Sequence, residues 1–290
     1  MPSTSANGIT IEYESIGEES RPPLLLVAGL GAQLISWDDE LVGLLVDRGF
    51  RVIRYDNRDV GRSTWFDGLG VPNALDVLSG TATAPYLIAD MADDAAGLLD
   101  ALGIERAHVV GVSMGGMIAQ SLAIWHPDAV ATLTSIMSTT GDPAVGAAHD
   151  DAVQLLLADP PTDRDGAIAA ALAGWRVVGS PGYPADEARI AANAAAAYDR
   201  AWHPDGTARQ LVAVLASPDR TPDLRRLAVP TLVVHGDADP LIDPSGGEAT
   251  AQAIPGAELW MLPGVGHDLP PQLFSALADR LAEHCGLAGR

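Results

Sequence analysis

A serine stands between two glycines in Gly111-Val112-Ser113-Met114-Gly115, after a strand-like run (AHVVGV, 107–112) and before a helix-like run from Met114 to about His126. A nucleophile on a strand-to-helix turn takes up a strained backbone that bulky neighbours would obstruct. Glycine two residues before and after removes the obstruction and presents the hydroxyl at the helix N-terminus. A serine hydroxyl is a poor nucleophile near neutral pH and needs a positioned base. Of the seven histidines, His108 falls within a strand, His126 and His284 at helix ends, His149 and His203 in a helical region, and His235 closes a strand. His267 differs: it lies in a Gly-flanked loop, PGVGHDLP, directly after a strand and before the last helix. Loops at the carboxyl ends of parallel strands are where such sheets place their sites.

The acid that fixes the imidazole tautomer belongs on another loop of the same edge. The strand at 230–235 runs into His235-Gly236-Asp237-Ala238-Asp239-Pro240, and both aspartates qualify by type. Asp239, before the proline and deeper in the loop, is the better choice. The order Ser113, Asp239, His267 matches that of hydrolases built on a parallel sheet. An oxyanion hole completes the requirement. One donor is expected from the Met114 backbone N–H, and the other from Leu30 in the loop Gly29-Leu30-Gly31.

These residues need elements to hold them. Strands are expected at 9–15, 23–28, 51–56, 107–112, 131–138, 230–236 and 258–263, alternating with helices, which argues for a mostly parallel sheet covered on both faces. The first helix is expected to open with Ser36 and Asp39 at capping-box spacing and to close at Gly49. Residues 87–102 read as an amphipathic helix whose apolar face is Met91, Ala95, Leu98, Leu99 and Leu102, with Asp90, Asp93, Asp94 and Asp100 on a solvated face. From about 139 to 226 the chain is Ala-rich and helical, without strand character. The expected organisation is an α/β core of residues 1–138 and 227–290, interrupted by a helical cap at 139–226.

Composition narrows the chemistry. The formal charge is −21 over 290 residues, and all 17 basic residues are arginine. Without lysine there is no Walker-A loop, no pyridoxal Schiff base and no protein-kinase ATP lysine. An acidic chain without a basic stripe argues against nucleic-acid binding. Gly29-Leu30-Gly31 lacks the third glycine of a dinucleotide loop, and the scattered histidines contain no H-E-x-x-H. The single cysteine, Cys285, reads as an inert thiol in the last helix. No cofactor or metal is expected. The longest apolar runs, Leu24 to Ala32 and Ala167 to Trp175, fall short of the ~20 residues of a spanning helix. No secretory signal is visible, so a soluble cytoplasmic protein is expected.

Taken together, VAGLGAQLISW, RYDNRDVGRST, AHVVGVSMGGMIAQ, PTLVVHGDADPLIDP and LPGVGHDLP make the chain resemble an α/β-hydrolase along nearly its whole length. The resemblance implies an eight-stranded, mostly parallel sheet with a helical cap between the sixth and seventh strands. It implies Ser113, Asp239 and His267 as triad, and Leu30 and Met114 as oxyanion donors. RYDNRDVGRST is most similar to bacterial ester hydrolases of the aclacinomycin methylesterase type, and enol-lactone hydrolases are similar too. The chain departs from the family at Ala28-Gly29, where His-Gly is usual.

The implied partner is a small-molecule ester, neutral and of small to medium size. Met137, Trp175, Tyr183, Tyr198 and Trp202 are the large side chains available to line its pocket. The same triad also serves lactone hydrolysis, cofactor-free perhydrolysis of the haloperoxidase type, or a ligand-sensing receptor without turnover.

Overall fold

The computed structural model describes residues 1–287. Its strands are β1 (Ser3–Ala6), β2 (Ile9–Ile16), β3 (Pro23–Val27), β4 (Arg51–Tyr55), β5 (Ala107–Val112), β6 (Val130–Ile136), β7 (Thr231–Gly236) and β8 (Glu258–Leu262). They form one sheet in the order β1-β2-β4-β3-β5-β6-β7-β8. β2 is antiparallel to both of its neighbours, and every other pairing is parallel. The helices are α1 (Asp39–Asp47), α2 (Ala74–Leu78), α3 (Ile88–Ala101), α4 (Met114–Trp125), α5 (Asp150–Leu156), α6 (Arg164–Val178), α7 (Glu187–Arg200), α8 (Pro204–Ala216), α9 (Thr221–Leu224), α10 (Ser245–Ala253) and α11 (Phe274–His284).

The period-two alternation of the central strands decides which helices cover which face. Leu24, Leu26, Val52, Val110, Leu232 and Val234 pack with Leu41 and Leu45 of α1 and Leu277 and Leu281 of α11. Leu25, Val27, Ile53, Val109 and Leu133 pack with Met91, Leu98, Ile118 and Leu122 of α3 and α4. A one-residue slip of β3 would exchange its two buried rows, so the register is tightly specified.

Each of the seven expected strands is found. β1 was not foreseen, because STSA is short and polar. Its signal was the following pair: Asn7 and Gly8 both have positive φ (47° and 78°), and Ala6 pairs Ile9 across a two-residue hairpin. Asn-Gly suits that turn because both residues tolerate the left-handed backbone.

Two local expectations fail for tertiary reasons. α1 is capped by Asp38, whose carboxylate accepts the Glu40 N–H at 2.9 Å, and not by a Ser36–Asp39 box. Ser36 ends a short 3-10 turn (Leu34–Ser36), and Trp37 after it is buried against α1 and α11, so the helix starts beyond the tryptophan. Asp94 is not solvated: it is buried, and its carboxylate accepts Arg58 Nε at 2.6 Å, Arg58 Nη2 at 2.7 Å and Asn7 Nδ2 at 2.9 Å. Burial raises the Asp94 pKa against the opposing pull of Arg58. Helical periodicity cannot see the arginine that comes from the loop after β4.

α5 to α9 all lie between β6 and β7, and no described residue in that stretch forms a strand. Arginines fasten this helical insertion to the loop after β4. Arg209 of α8 donates to both oxygens of Asp59, Nε at 2.9 Å and Nη2 at 2.8 Å, and neither side chain reaches solvent. Arg200 of α7 approaches Asp56 at 2.7 Å. Tyr86 donates to Asp59 Oδ2 at 2.7 Å, and the Phe66 N–H donates to Oδ1 at 2.7 Å.

Removing one partner of such a pair leaves a buried charge poorly compensated: without Asp59, Arg209 keeps only the exposed carboxylate of Asp67, at 3.2 Å. Asp59→Asn is expected to lower stability by about 3–5 kcal/mol, measured as the shift in a urea unfolding curve. The double variant Asp59→Asn/Arg209→Met should lose less than the sum of the single losses. A loss below about 1 kcal/mol for Asp59→Asn would match an exposed pair and contradict this account.

Candidate active site

The turn from β5 into α4 puts Ser113 at φ 56° and ψ −121°, a conformation that a non-glycine residue rarely adopts. Direct backbone packing keeps it there. A Cβ on Gly111 would stand 2.0 Å from Gly115 O, and one on Gly115 would stand 2.1 Å from Val27 O. No side chain fits either place, so the glycine spacing is a steric requirement of the turn. Ser113 N–H is anchored to Ile136 O at 2.8 Å.

The loop after β3 lies against this turn: a Cβ on Gly29 would come within 3.4 Å of Ser113 Cβ. Two side chains brace it. Asn57 Nδ2 donates to Ala28 O at 3.1 Å, and Gly31 N–H donates to Gln210 Oε1 at 2.8 Å. Gln210 is itself buried and ties the insertion to Arg58 O at 2.7 Å. Among the described residues, no acceptor takes the N–H of Leu30 or of Met114. Met114 is the first residue of α4, where helix geometry leaves N–H groups unpaired and the helix dipole favours negative charge.

His267 and Asp239 meet across two loops. His267 Nδ1 is 2.7 Å from Asp239 Oδ2, and Asp239 is 1% exposed. Asp239 Oδ1 accepts the N–H groups of Leu241 and Ile242, each at 2.9 Å. Burial opposes ionisation of this carboxyl, but the imidazoles of His235 and His267 and the Ile242 N–H outweigh it and hold its pKa at about 2. The other aspartate of the loop does different work: Asp237 is exposed and accepts the Gly264 N–H at 2.6 Å.

His235 stands next to last in β7, the strand-end place its spacing predicts. It is fully buried, with Nε2 2.8 Å from Ile242 O and 3.5 Å from Asp239 Oδ2. Nothing in its spacing announced this, because the contact arises when the chain turns back on itself through residues 239–242. Gln210 and Asn57 likewise carried no sequence signal.

The five large side chains proposed for the pocket separate. Trp175 and Tyr183 line one cavity of about 280 Å³, together with Trp37, Val112, Asp268 and Phe274. Val112 and Asp268 are the sequence neighbours of Ser113 and His267, but neither Ser113 nor His267 itself lines this cavity. Tyr198 and Trp202 pack on each other, with ring centroids 5.4 Å apart. Met137 is wholly buried in the core beside β6 and lines no part of that cavity. A larger groove of about 1090 Å³ lies at the opposite edge of the sheet, lined by Arg48 and Arg280. These arginines are occupied by Asp279 and Glu258, so the groove has no free cation from either of them. Cys285 is half-buried with its thiol pKa raised to about 11 by desolvation, so it stays protonated at neutral pH. Among the described residues, no three His, Cys, Asp or Glu side chains converge as a metal site, and no helix is long and apolar enough to cross a membrane.

Comparison with known proteins agrees with this architecture. A family model described as alpha/beta hydrolase fold matches residues 22–179. A rhodomycin D methylesterase of Streptomyces sp. (strain C5) is 30% identical over 296 residues, covering 95% of each chain. A second, from Streptomyces peucetius, is 30% identical over 302 residues with the same coverage. The crystal structure of the enol-lactonase from Burkholderia xenovorans LB400 superposes with a TM-score of 0.76 at 27% identity, covering 98% of this chain and 100% of that one. The strand order, the serine turn and the length of these matches agree: the chain belongs to the α/β-hydrolase fold family.

Proposed function

We propose that this protein is a serine carboxylic-ester hydrolase that works through a Ser113 acyl-enzyme. The observation that carries the reading is the placement at one sheet edge, after the parallel strands β5, β7 and β8, of the strained Ser113 turn and the His267–Asp239 pair, with the N–H groups of Leu30 and Met114 left unpaired. The relatives named as methylesterases support ester cleavage, and the likeness to an enol-lactonase supports cyclic esters as well.

His267 Nε2 takes the Ser113 proton as Oγ attacks the ester carbonyl carbon. The carbonyl oxygen becomes an oxyanion held by the Leu30 and Met114 amides. Asp239 stays ionised, keeps the Nδ1–H tautomer and stabilises the imidazolium. The tetrahedral intermediate collapses by breaking the C–O bond to the alcohol, which leaves with the proton from His267. Water, deprotonated by His267, then attacks the acyl-enzyme and releases the acid and Ser113. The helical insertion acts as a cap, and the aromatic wall of Trp37, Trp175, Tyr183 and Phe274 suits a small-to-medium apolar group, while Asp38, Asp186, Arg189 and Asp268 also line the cavity.

Ser113→Ala should abolish covalent labelling by an organophosphate and lower kcat by more than about 10³-fold. Undiminished labelling would sink the assignment. Asp239→Asn should lower kcat by about 10⁴-fold, as expected when the base loses its tautomer, and Asp237→Asn should stay within about tenfold of the wild type. The reverse ranking would move the acid to Asp237.

The folded-state pKa of Asp239, about 2, is depressed below an unfolded value near 3.9. Its ionised form therefore adds stability that is fully present above about pH 4 and is lost as the pH falls toward 2. Acid unfolding of Asp239→Asn should lack this contribution to the slope between pH 4 and 2, and equal slopes would contradict it.

A further inference from the structure

The loop that carries His267, residues 263–269, follows β8 without regular structure, so its backbone donors must find partners outside a ladder. Those partners lie on two sides. On the side of the acid loop, Gly264 N–H reaches Asp237 Oδ1 at 2.6 Å, and Val265 O accepts the Ala238 N–H at 3.0 Å. On the other side stands the C-terminal end of α6. The backbone N–H of His267 itself donates to Val178 O at 2.6 Å, and Gly182 N–H donates to Gly264 O at 2.8 Å. Val178 is the last residue of α6, where a helix leaves carbonyls unpaired. The residue read as the base therefore caps a helix of the insertion with its own amide.

Side chains complete the joint. Ser180, 1% exposed, accepts the Gly266 N–H at 2.9 Å and donates to Asp268 Oδ1. Trp175 Nε1 donates to the second oxygen, Asp268 Oδ2, at 3.1 Å. Both oxygens of the carboxylate next to His267 in sequence are thus taken by donors from the insertion. The backbones themselves are in contact: a Cβ on Gly266 would stand 2.4 Å from Gly179 O.

We propose that Ser180 and Trp175 are positioning residues for His267, so that the helical insertion acts on the base as well as on the substrate. They hold the base loop against α6 and keep Asp268 occupied, which leaves Asp239 as the carboxylate on the imidazole. Movement of the α6 end away from the core would break the His267 N–H bond to Val178 and loosen the base. This rests on His267 being the general base. It gives Trp175 a role through its indole N–H that differs from contact with an acyl chain.

The test uses Ser180→Ala and Trp175→Phe in the full-length protein, the second keeping an aromatic ring in case the first does not fold. Hydrogen–deuterium exchange of peptides covering 264–268 should be about tenfold faster or more in each variant, with the peptide around Ser113 unchanged, since exchange reports local opening. With p-nitrophenyl acetate, butyrate and hexanoate, kcat should fall by about tenfold or more and by the same factor for all three, while KM stays within about twofold. Unchanged exchange in 264–268 would overturn the proposal. So would a loss that sits only in KM and grows with acyl length, which would leave Trp175 acting on the substrate alone and not on the base. Should the wild type turn over none of these esters, the hydrolase reading fails, and the exchange result alone then supports or overturns the tether.

Discussion

The carboxylate of Asp59 lies out of reach of water and receives both arms of Arg209 from a helix 150 residues further along the chain. Most of what surrounds the site depends on that pair and its neighbour, Asp56 with Arg200. Both aspartates sit in the loop after β4, and both arginines belong to the insertion. Through them α7 and α8 are seated over the carboxyl ends of the strands. Seating α8 there brings Gln210 to the Gly31 amide and to Arg58 O, which shapes the loop carrying Leu30. The exclusive use of arginine fits this arrangement, because a planar guanidinium can satisfy two carboxylate oxygens at once, whereas an ammonium is a point charge.

Strain and its compensation are divided between neighbouring elements. Ser113 is held at positive φ by strands and a helix that pack backbone to backbone around it, through Gly111 and Gly115. The energetic cost of such a residue is of order 1–3 kcal/mol and persists only when the surroundings over-determine it. Here those surroundings are the most deeply buried part of the sheet: β3 and β5 lie at its centre, covered on both faces. The proposed nucleophile therefore stands on the most deeply buried part of the sheet, while the base stands on a loop that needs support from two directions.

Charge within the site follows the same logic. Burial alone would push Asp239 toward neutrality, yet two imidazoles and two backbone amides surround it and keep it ionised. Asp237, two residues earlier, stays near solvent and holds the His267 loop by one amide. Two aspartates in one short loop thus do separate work, one electrostatic and one geometric. The net charge of −21 contributes to neither, since exposed charges are screened within about 8 Å at physiological salt.

Much of this was legible in the residues. Alternating apolar positions gave the central strands, the glycines around Ser113 gave the turn, and the placement of His267 and Asp239 after two strands gave their shared edge. Such features are local: each depends on a few consecutive residues whose sterics and hydropathy act wherever the chain goes. The hydrogen bonds of His235 to Ile242, of Asp94 to Arg58, of Gln210 to Gly31 and of Ser180 to the His267 loop were not legible. With the exception of the first, each joins residues tens of positions apart or more, and even His235 needs a turn of the chain to reach its partner. A polar side chain carries no mark of which distant group will satisfy it. Sequence periodicity could say that Asp94 lay off the apolar stripe, but only packing against the loop after β4 decided that it would be buried and paired. The sequence alone thus determined every strand but β1, the serine turn, the residue types of the site and the preference for Asp239 over Asp237. Tertiary structure decided which charges were buried together and which part of the insertion held the base loop, because those outcomes depend on distances that exist only once the chain has closed.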